Sequence, residues 1–405
     1  MIDYMNTRKQ PNRFLAILLS VCMLFAMLPM GSITAHAAAG TVAYIGDKGY
    51  NSLDSAVSEA SSGDIITLRE NDDTSQEITI SKSLTIELDG HDLTETSFKI
   101  SEGNVVIRDR QGIATISSTK EQAFQASFNN RVHGTIYSEG GSLTLEGVNV
   151  NGYLGSGGNL PKAVVVEGGS VTINSGSFKG GNAGNSGGDA VYFHKGELTI
   201  NGGTFTGGDG GGCGLSSSDK PETSLSIRNG TFVGGADGSA AFWLGENIRS
   251  EESLKEYFLS DDNYIVGTFN YTNVTIGSNL FLSSVYNEPE NGTDNASNPA
   301  TIELAAGDSV TLEPHVLGGA GGELTYEWYK DSMKMDNASG STCTVNGTGD
   351  YTGDYHVVVT ETGTNNRITV YWKVVRGYRT YNVWVGGMQV TEQNASDVLG
   401  DADGS

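Results

Sequence analysis

Residues able to do acid–base or ligand chemistry gather where glycine turns interrupt short apolar runs. Asp189, Asp209 and Asp237 are the acids at such corners, and His194, Lys195 and Arg228 are the neighbouring bases or electrophiles. Elimination on a uronate polymer needs carboxylates that hold calcium, a cation that takes oxygen ligands, and an Arg or Lys as base. Glycosidic hydrolysis needs two carboxyl groups at a defined separation. Asp189 and His194 flank the run Ala190-Val-Tyr-Phe, so they share a face only if the turn brings them round. No two of the six form a recognisable catalytic motif. The simpler reading is solvated corner residues, and Asp189, His194 and Lys195 are no more than weak catalytic candidates. Binding asks less: a polar face and aromatic platforms. Tyr192 points away from the core if Val191 and Phe193 point inward, and Trp243 follows Ala240-Ala-Phe in an equivalent run. Tyr192, Trp243, Asp209 and Asp237 are the candidate ligand contacts, although Phe193 and Trp243 are expected mostly to fill core or cap.

These residues are positioned by a repeat. Ser142-Leu-Thr-Leu, Ser170-Val-Thr-Ile, Glu197-Leu-Thr-Ile and Ser224-Leu-Ser-Ile start 28, 27 and 27 residues apart. Val150, Phe178, Phe205 and Phe232 fall at the same place in each copy. A fixed period near 27 marks a repeat architecture. Leu198 and Ile200 alternate with Thr199, and Gly-Gly or Asn-Gly pairs punctuate both sides, so each apolar run reads as a short strand. A second strand carries the Phe position, and Ala163-Val-Val-Val and Ala190-Val-Tyr-Phe mark a third. Three strands and three turns per copy predict one coil of a parallel β-helix, with the phenylalanines in an internal ladder. Coils of this kind are stable only when stacked, and the 56 glycines suit their tight corners. An antiparallel sandwich is the rival all-β reading, and the in-phase repeat argues against it.

Residues 1–37 read as a secretory signal: Lys9 and Arg13, an apolar run at 14–28, then Ala35-His36-Ala37 as an A-x-A cleavage site. The mature chain then starts near Ala38 with no other long apolar segment. The formal charge of −24 becomes more negative once Arg8, Lys9 and Arg13 leave with Asp3. Such acidity disfavours nucleic acid and anionic membranes and is compatible with calcium, though a solubilising surface explains it as well. Cys213 and Cys343 remain and fall in different predicted domains, which argues against a disulfide framework.

Leu53, Ala56, Val57 and Ala60 have helical spacing, with Asn51 or Ser52 as N-cap and Gly63 as stop, so 51–61 is predicted to be a helix capping the first coil. Strand-like runs follow at 65–68, 78–80, 84–88, 105–107 and 114–116. Here Ser52-Leu-Asp-Ser-Ala-Val, Gly63-Asp-Ile-Ile-Thr-Leu, Leu84-Thr-Ile-Glu-Leu-Asp-Gly and Val105-Val-Ile-Arg-Asp resemble the opening coils of secreted bacterial pectin-lyase-like right-handed parallel β-helix proteins. Asn201-Gly-Gly-Thr-Phe and Ser253-Leu-Lys-Glu-Tyr-Phe-Leu are similar to the closing part of that group. The resemblance spans 41–267. It implies a fold shared by polysaccharide lyases, hydrolases and many surface proteins without known catalysis; a fold alone licenses no activity.

Residues 252–261 are predicted to be a short helix closing the stack, so the β-helix with its caps occupies 41–285. The polar stretch 286–299 reads as a linker. In 300–376, Thr325-Tyr-Glu-Trp328-Tyr-Lys and Gly353-Asp-Tyr355-His-Val-Val-Val resemble strands C and F of an immunoglobulin-like β-sandwich, with Trp328 buried and a tyrosine at the corner. Val357 stands where that fold has a cysteine and Tyr351 where it usually has Asp, which fits disulfide-free bacterial modules that act as spacers. The tail 377–405, beginning Tyr381-Asn-Val-Trp-Val, resembles a repeat that precedes carbohydrate-binding β-helix domains in secreted clostridial proteins. A chain ending at Ser405 within it reads as a truncated frame.

The expectation is therefore an all-β, secreted or cell-surface protein that binds polysaccharide or a host or cell-surface glycan without cleaving it, with calcium the one cofactor to consider. A polysaccharide lyase or glycoside hydrolase on the same scaffold is the runner-up, and a structural stalk is the third reading.

Overall fold

The computed structural model describes residues 40–377, except 120–122, 127–131, 155–159, 184–185, 222–223 and 287, together with two short strands, Val383–Val385 and Met388–Val390. The expected signal at 1–37 and the residues after 390 lie outside the described residues. The described residues from Val42 onward belong to one compact unit. It is all-β, with large and mostly parallel sheets. Among the described residues no helix is long and apolar enough to cross a membrane.

Each copy of the repeat supplies three short strands, and each pairs in parallel with its counterpart in the next copy. Leu143, Val171, Leu198 and Leu225 stand in register in one row. Val150, Phe178, Phe205 and Phe232 form the second. Ile136, Val164, Val191, Leu215 and Phe242 form the third. Three rows of stacked parallel strands are compatible with a parallel β-helix. Every residue named in these rows is buried, so the apolar half of each alternation lines one continuous interior.

The expected phenylalanine ladder is present. Phe178 and Phe205 stack with ring centroids 5.2 Å apart, Phe205 and Phe232 at 4.8 Å, and Phe242 closes the column at 4.5 Å. The first two distances are close to the spacing of adjacent strands, so the backbone itself sets those rings at stacking distance, whereas Phe242 reaches the column from the third row. Glycine is required where coils approach most closely. A Cβ on Gly188 would run into the Pro161 carbonyl oxygen, and Gly169 turns its corner at φ +72.

At the start of the stack, helix Leu53–Glu59 buries Leu53, Ala56 and Val57 against the core. Ser52 caps it, and the buried Asp72 carboxylate accepts a hydrogen bond from Leu53 N at 2.8 Å. At the other end a helix forms over Glu251–Lys255, shorter than the sequence predicted. Ser250 caps it, Leu254 and Tyr257 are buried, and Leu259 is already exposed, so the apolar face that would extend it is spent within one turn.

Strand Asn273–Leu282 then joins two cores. Its first half pairs antiparallel with Gly230–Val233 of the stack, and its second half pairs with Val316–Gly319. The second core lies between a five-stranded sheet and the pair Ser309–Leu312 with Cys343–Asn346. The sheet order is Ala300–Ala305, Arg367–Gly377, Gly353–Glu361, Leu324–Lys330 and Met333–Lys334, with the first pair parallel. Trp328 is fully buried and stacks on Trp372 at 5.4 Å. Val357 is buried at the expected cysteine position, and the Tyr355 hydroxyl donates to Tyr351 O at 2.8 Å.

The stretch expected to be a linker is packed against its surroundings. Asn291 is buried and accepts from His315 N at 2.9 Å, Trp372 Nε1 donates to Glu290 O at 3.0 Å, and Arg108 reaches Glu288 at 3.1 Å.

Candidate functional site

The third strand row carries an outward face. Val191 and Phe193 are buried, so the Tyr192 side chain lies on the opposite side of its strand, and Phe242 and Leu244 place Trp243 likewise. Register joins Tyr137, Val165, Tyr192, Ser216 and Trp243 into one outward row along the stack. Phe193 fills the core as expected, whereas Trp243 does not: it is 43% exposed.

Polar groups border the row. Tyr192 makes a side-chain hydrogen bond with Ser218, and burial raises its hydroxyl above the ordinary tyrosine range. His194 Nδ1 lies 3.0 Å from Ser218 Oγ, which donates to Asp219 Oδ2 at 3.4 Å. Lys195 is exposed beside them. His194, Lys195, Ser217, Asp219 and Lys220 line a shallow cavity of about 290 Å³. Lys220 also pairs with Glu256 at 2.6 Å.

Asp189 sits on the other flank and is buried with its oxygens engaged. Oδ1 accepts from Cys213 N at 2.8 Å, and Oδ2 accepts from Lys162 Nζ and Ser216 Oγ, each at 2.5 Å. Lys162 is itself buried and stands 5.4 Å from the Tyr192 ring centroid. The carboxylate thus ties three adjacent coils together, which suits a fixed buried ion pair better than a group that must reach substrate. Burial, reinforced by the Asp189 charge, pushes the Cys213 thiol up to about 12, which suppresses its thiolate.

The remaining candidates are scattered. Asp209 accepts from Ala236 N at 3.0 Å and Asp237 from Ser239 Oγ at 2.5 Å, so both close exposed glycine turns. Arg228 lies in a different strand row with its guanidinium 3.4 Å from the Phe281 ring, and burial lowers its pKa. Among the described residues no group of three or more His, Cys, Asp or Glu side chains is placed to hold a metal ion. The structure therefore brings Tyr192, His194, Lys195 and Trp243 to one region and leaves Asp209, Asp237 and Arg228 outside it.

Lys162, Ser216, Ser218 and Asp219 were not among the sequence candidates. Lys162 was readable, since it stands 27 residues before Asp189. Ser216 was hidden because Val191 pairs with Leu215 after only 24 residues, which breaks the period at that corner. Scans against protein-family models and searches of curated proteins and of solved structures return no match. The site must be argued from its own chemistry.

Proposed function

We propose that this chain is a secreted or cell-surface β-helix protein that binds polysaccharide or a host or cell-surface glycan without cleaving it, its second core being an immunoglobulin-like module. The observation that carries the reading is the exposed Trp243 in one row with Tyr192, bordered by the His194–Ser218–Asp219 chain. Aromatic faces take the C–H faces of a pyranose, and a rim of hydroxyl, imidazole and carboxylate groups suits its hydroxyls. The acidic composition argues against nucleic acid as the polymer. Lysis or hydrolysis is the weaker reading, because Asp189 is held by Lys162, Ser216 and the Cys213 amide rather than presented to a ligand.

The test is native affinity electrophoresis of the mature chain through gels containing xylan, mannan, β-glucan or polygalacturonate, with calcium and with chelator. Retardation with the polymer left intact is the expected result. Clearing of the polymer around the band would make the protein an enzyme, and chelator-sensitive retardation would add calcium to the site. No retardation in any gel would defeat the binding reading.

A further inference from the structure

The aromatic row is open at one end and walled at the other. Tyr137 and Val165 occupy the same outward positions as Tyr192 and Trp243, yet they are 2% and 0% exposed against 43% for Trp243. Phe124, Ala126, Val132 and Leu160 pack against them. Phe124 and Gln125 pair antiparallel with Gly134 and His133, and Ala126 N donates to Val132 O at 2.9 Å. Phe124 stacks on Tyr137 at 6.4 Å with an interplanar angle of 27°, and Ala126 and Val132 are buried with Tyr137 and Val165 in a small apolar cluster outside the main core. Tyr192 is half-buried at the edge of that cluster.

Tyr192 and Trp243 stand two coils apart in one row, so the line joining their rings runs along the stack at roughly 9.6 Å. A linear glycan stacked on both must therefore lie along the stack. Moving from Trp243 past Tyr192 it reaches Val165 and Tyr137, both buried in the cluster with Phe124 and Ala126, so no further platform is presented. The chain cannot continue, and its last sugar stops against the wall, beside His194, Ser218 and Asp219. A terminal sugar carries one hydroxyl that an internal sugar has spent in a glycosidic bond, and this group of side chains can accept and donate to it.

We infer that the site reads the end of a glycan chain rather than its interior, an inference that rests on the binding reading above. An interior-binding surface would need the row open at both ends. The wall also limits the contact to about two platforms, so a short oligosaccharide fills the site as completely as a long polymer.

The test is a competition assay on the full mature chain, with xylan, mannan or β-glucan as the probe at fixed mass concentration, intact and after partial hydrolysis. When hydrolysis raises the number of chain ends tenfold, competitor potency per unit mass is expected to rise about tenfold, because binding follows the concentration of ends. Potency that stays constant or falls would overturn the inference while leaving glycan binding standing. Absence of competition or retardation with every probe would overturn both. Phe124→Ala, checked for folding by circular dichroism, opens the wall, and the preference for ends should then shrink toward none. An unchanged preference in a folded Phe124→Ala protein would also count against this cluster as the stop.

Discussion

Two rows of side chains run along the stack and end differently. One joins Glu87, Arg108, Glu146, Asn174, Asn201 and Arg228, held by Arg108 to Glu87 at 2.7 Å, Asn174 to Glu146 at 2.8 Å and Asn201 to Asn174 at 2.9 Å. The chain covers this row with its own residues. Phe281 lies on Arg228, Ser283 donates to Glu146 at 2.6 Å, Tyr286 faces the guanidinium of Arg108, and Glu288 pairs with Arg108 and Arg110. The other row, from Tyr137 to Trp243, is covered over its first half and left open at Trp243. The same alternation generates both. The first is full of charges and amides, which are costly to leave buried without partners, and the fold supplies most of the partners from within, although Glu87 Oε1 is left without one. The second ends in an aromatic that loses little by standing in water and gains only when something stacks on it.

The comparison breaks most readily at Arg108. Its guanidinium is buried and serves Glu87, Glu288 and the Val285 carbonyl. Arg108→Ala leaves Glu87 and Glu288 with Arg110 as their remaining cation and opens a void beside Tyr286, and should cost about 3 kcal/mol in urea unfolding. A loss below about 1 kcal/mol would mean that the covered row is not what fastens segment 281–288 to the stack.

Lys162→Met tests the buried pair on the platform side in the same way. Removing the ammonium leaves the buried Asp189 charge with only the Ser216 hydroxyl and the Cys213 amide, and a loss of about 3 kcal/mol is expected. The double variant Lys162→Met/Asp189→Leu should recover part of it, because an apolar pair removes the buried charge altogether. If Asp189 were instead poised for chemistry, the single variant would fold with unchanged stability.

Much of the fold was legible because repetition amplifies a weak signal. One Leu-Thr-Ile run is ambiguous, but four at nearly constant spacing, in phase with Phe178, Phe205 and Phe232, impose parallel pairing and a ladder. The same alternation put Tyr192 opposite Val191 and Phe193 but left open which side faced the core, and the burial of Val191 and Phe193 decides it. The covered row was not legible. Glu146 and Ser283 are 137 residues apart, and Arg108 and Glu288 are 180 apart, with no shared period to relate them. A polar stretch at 286–299 looks the same in sequence whether it floats or docks. Trp243 was ambiguous for a related reason: its hydrophobicity suited core or cap as well as a ligand contact, and the burial of Phe242 and Leu244 is what turns it outward.

Acidification should loosen the covered row through His315. Its ring stacks on Tyr286 at 3.7 Å, beside Arg110, Arg108 and Glu288, and burial with those cations holds its pKa down to about 4 from 6.5. Between those values the native state binds fewer protons than the unfolded chain, so this contribution is full above pH 6.5 and is lost as pH falls toward 4. Glu146 acts in the opposite sense: burial raises its carboxyl, so it contributes stability at low pH that is lost as pH rises through its native value. Comparing wild type with His315→Asn isolates the histidine. The stability difference between them should shift against the wild type from pH 6.5 to 4, and a difference independent of pH would remove His315 from the account.

The smallest stability effect belongs to Trp243, and that smallness is the sharpest test of the open row. An exposed side chain away from caps and cores changes stability by no more than about 0.5 kcal/mol when truncated, so Trp243→Ala should melt with the wild type. Tyr192→Ala should cost more, since Tyr192 is half-buried against the outer apolar cluster and close to Lys162. Polymer retardation should respond in the opposite order of structural cost, with Trp243→Ala weakening binding about tenfold through loss of a stacking platform. If Trp243→Ala instead unfolded the stack, the residue would be a cap and the row would end there for structural reasons. If it changed neither stability nor retardation, the open end of the row would be surface that happens to be aromatic.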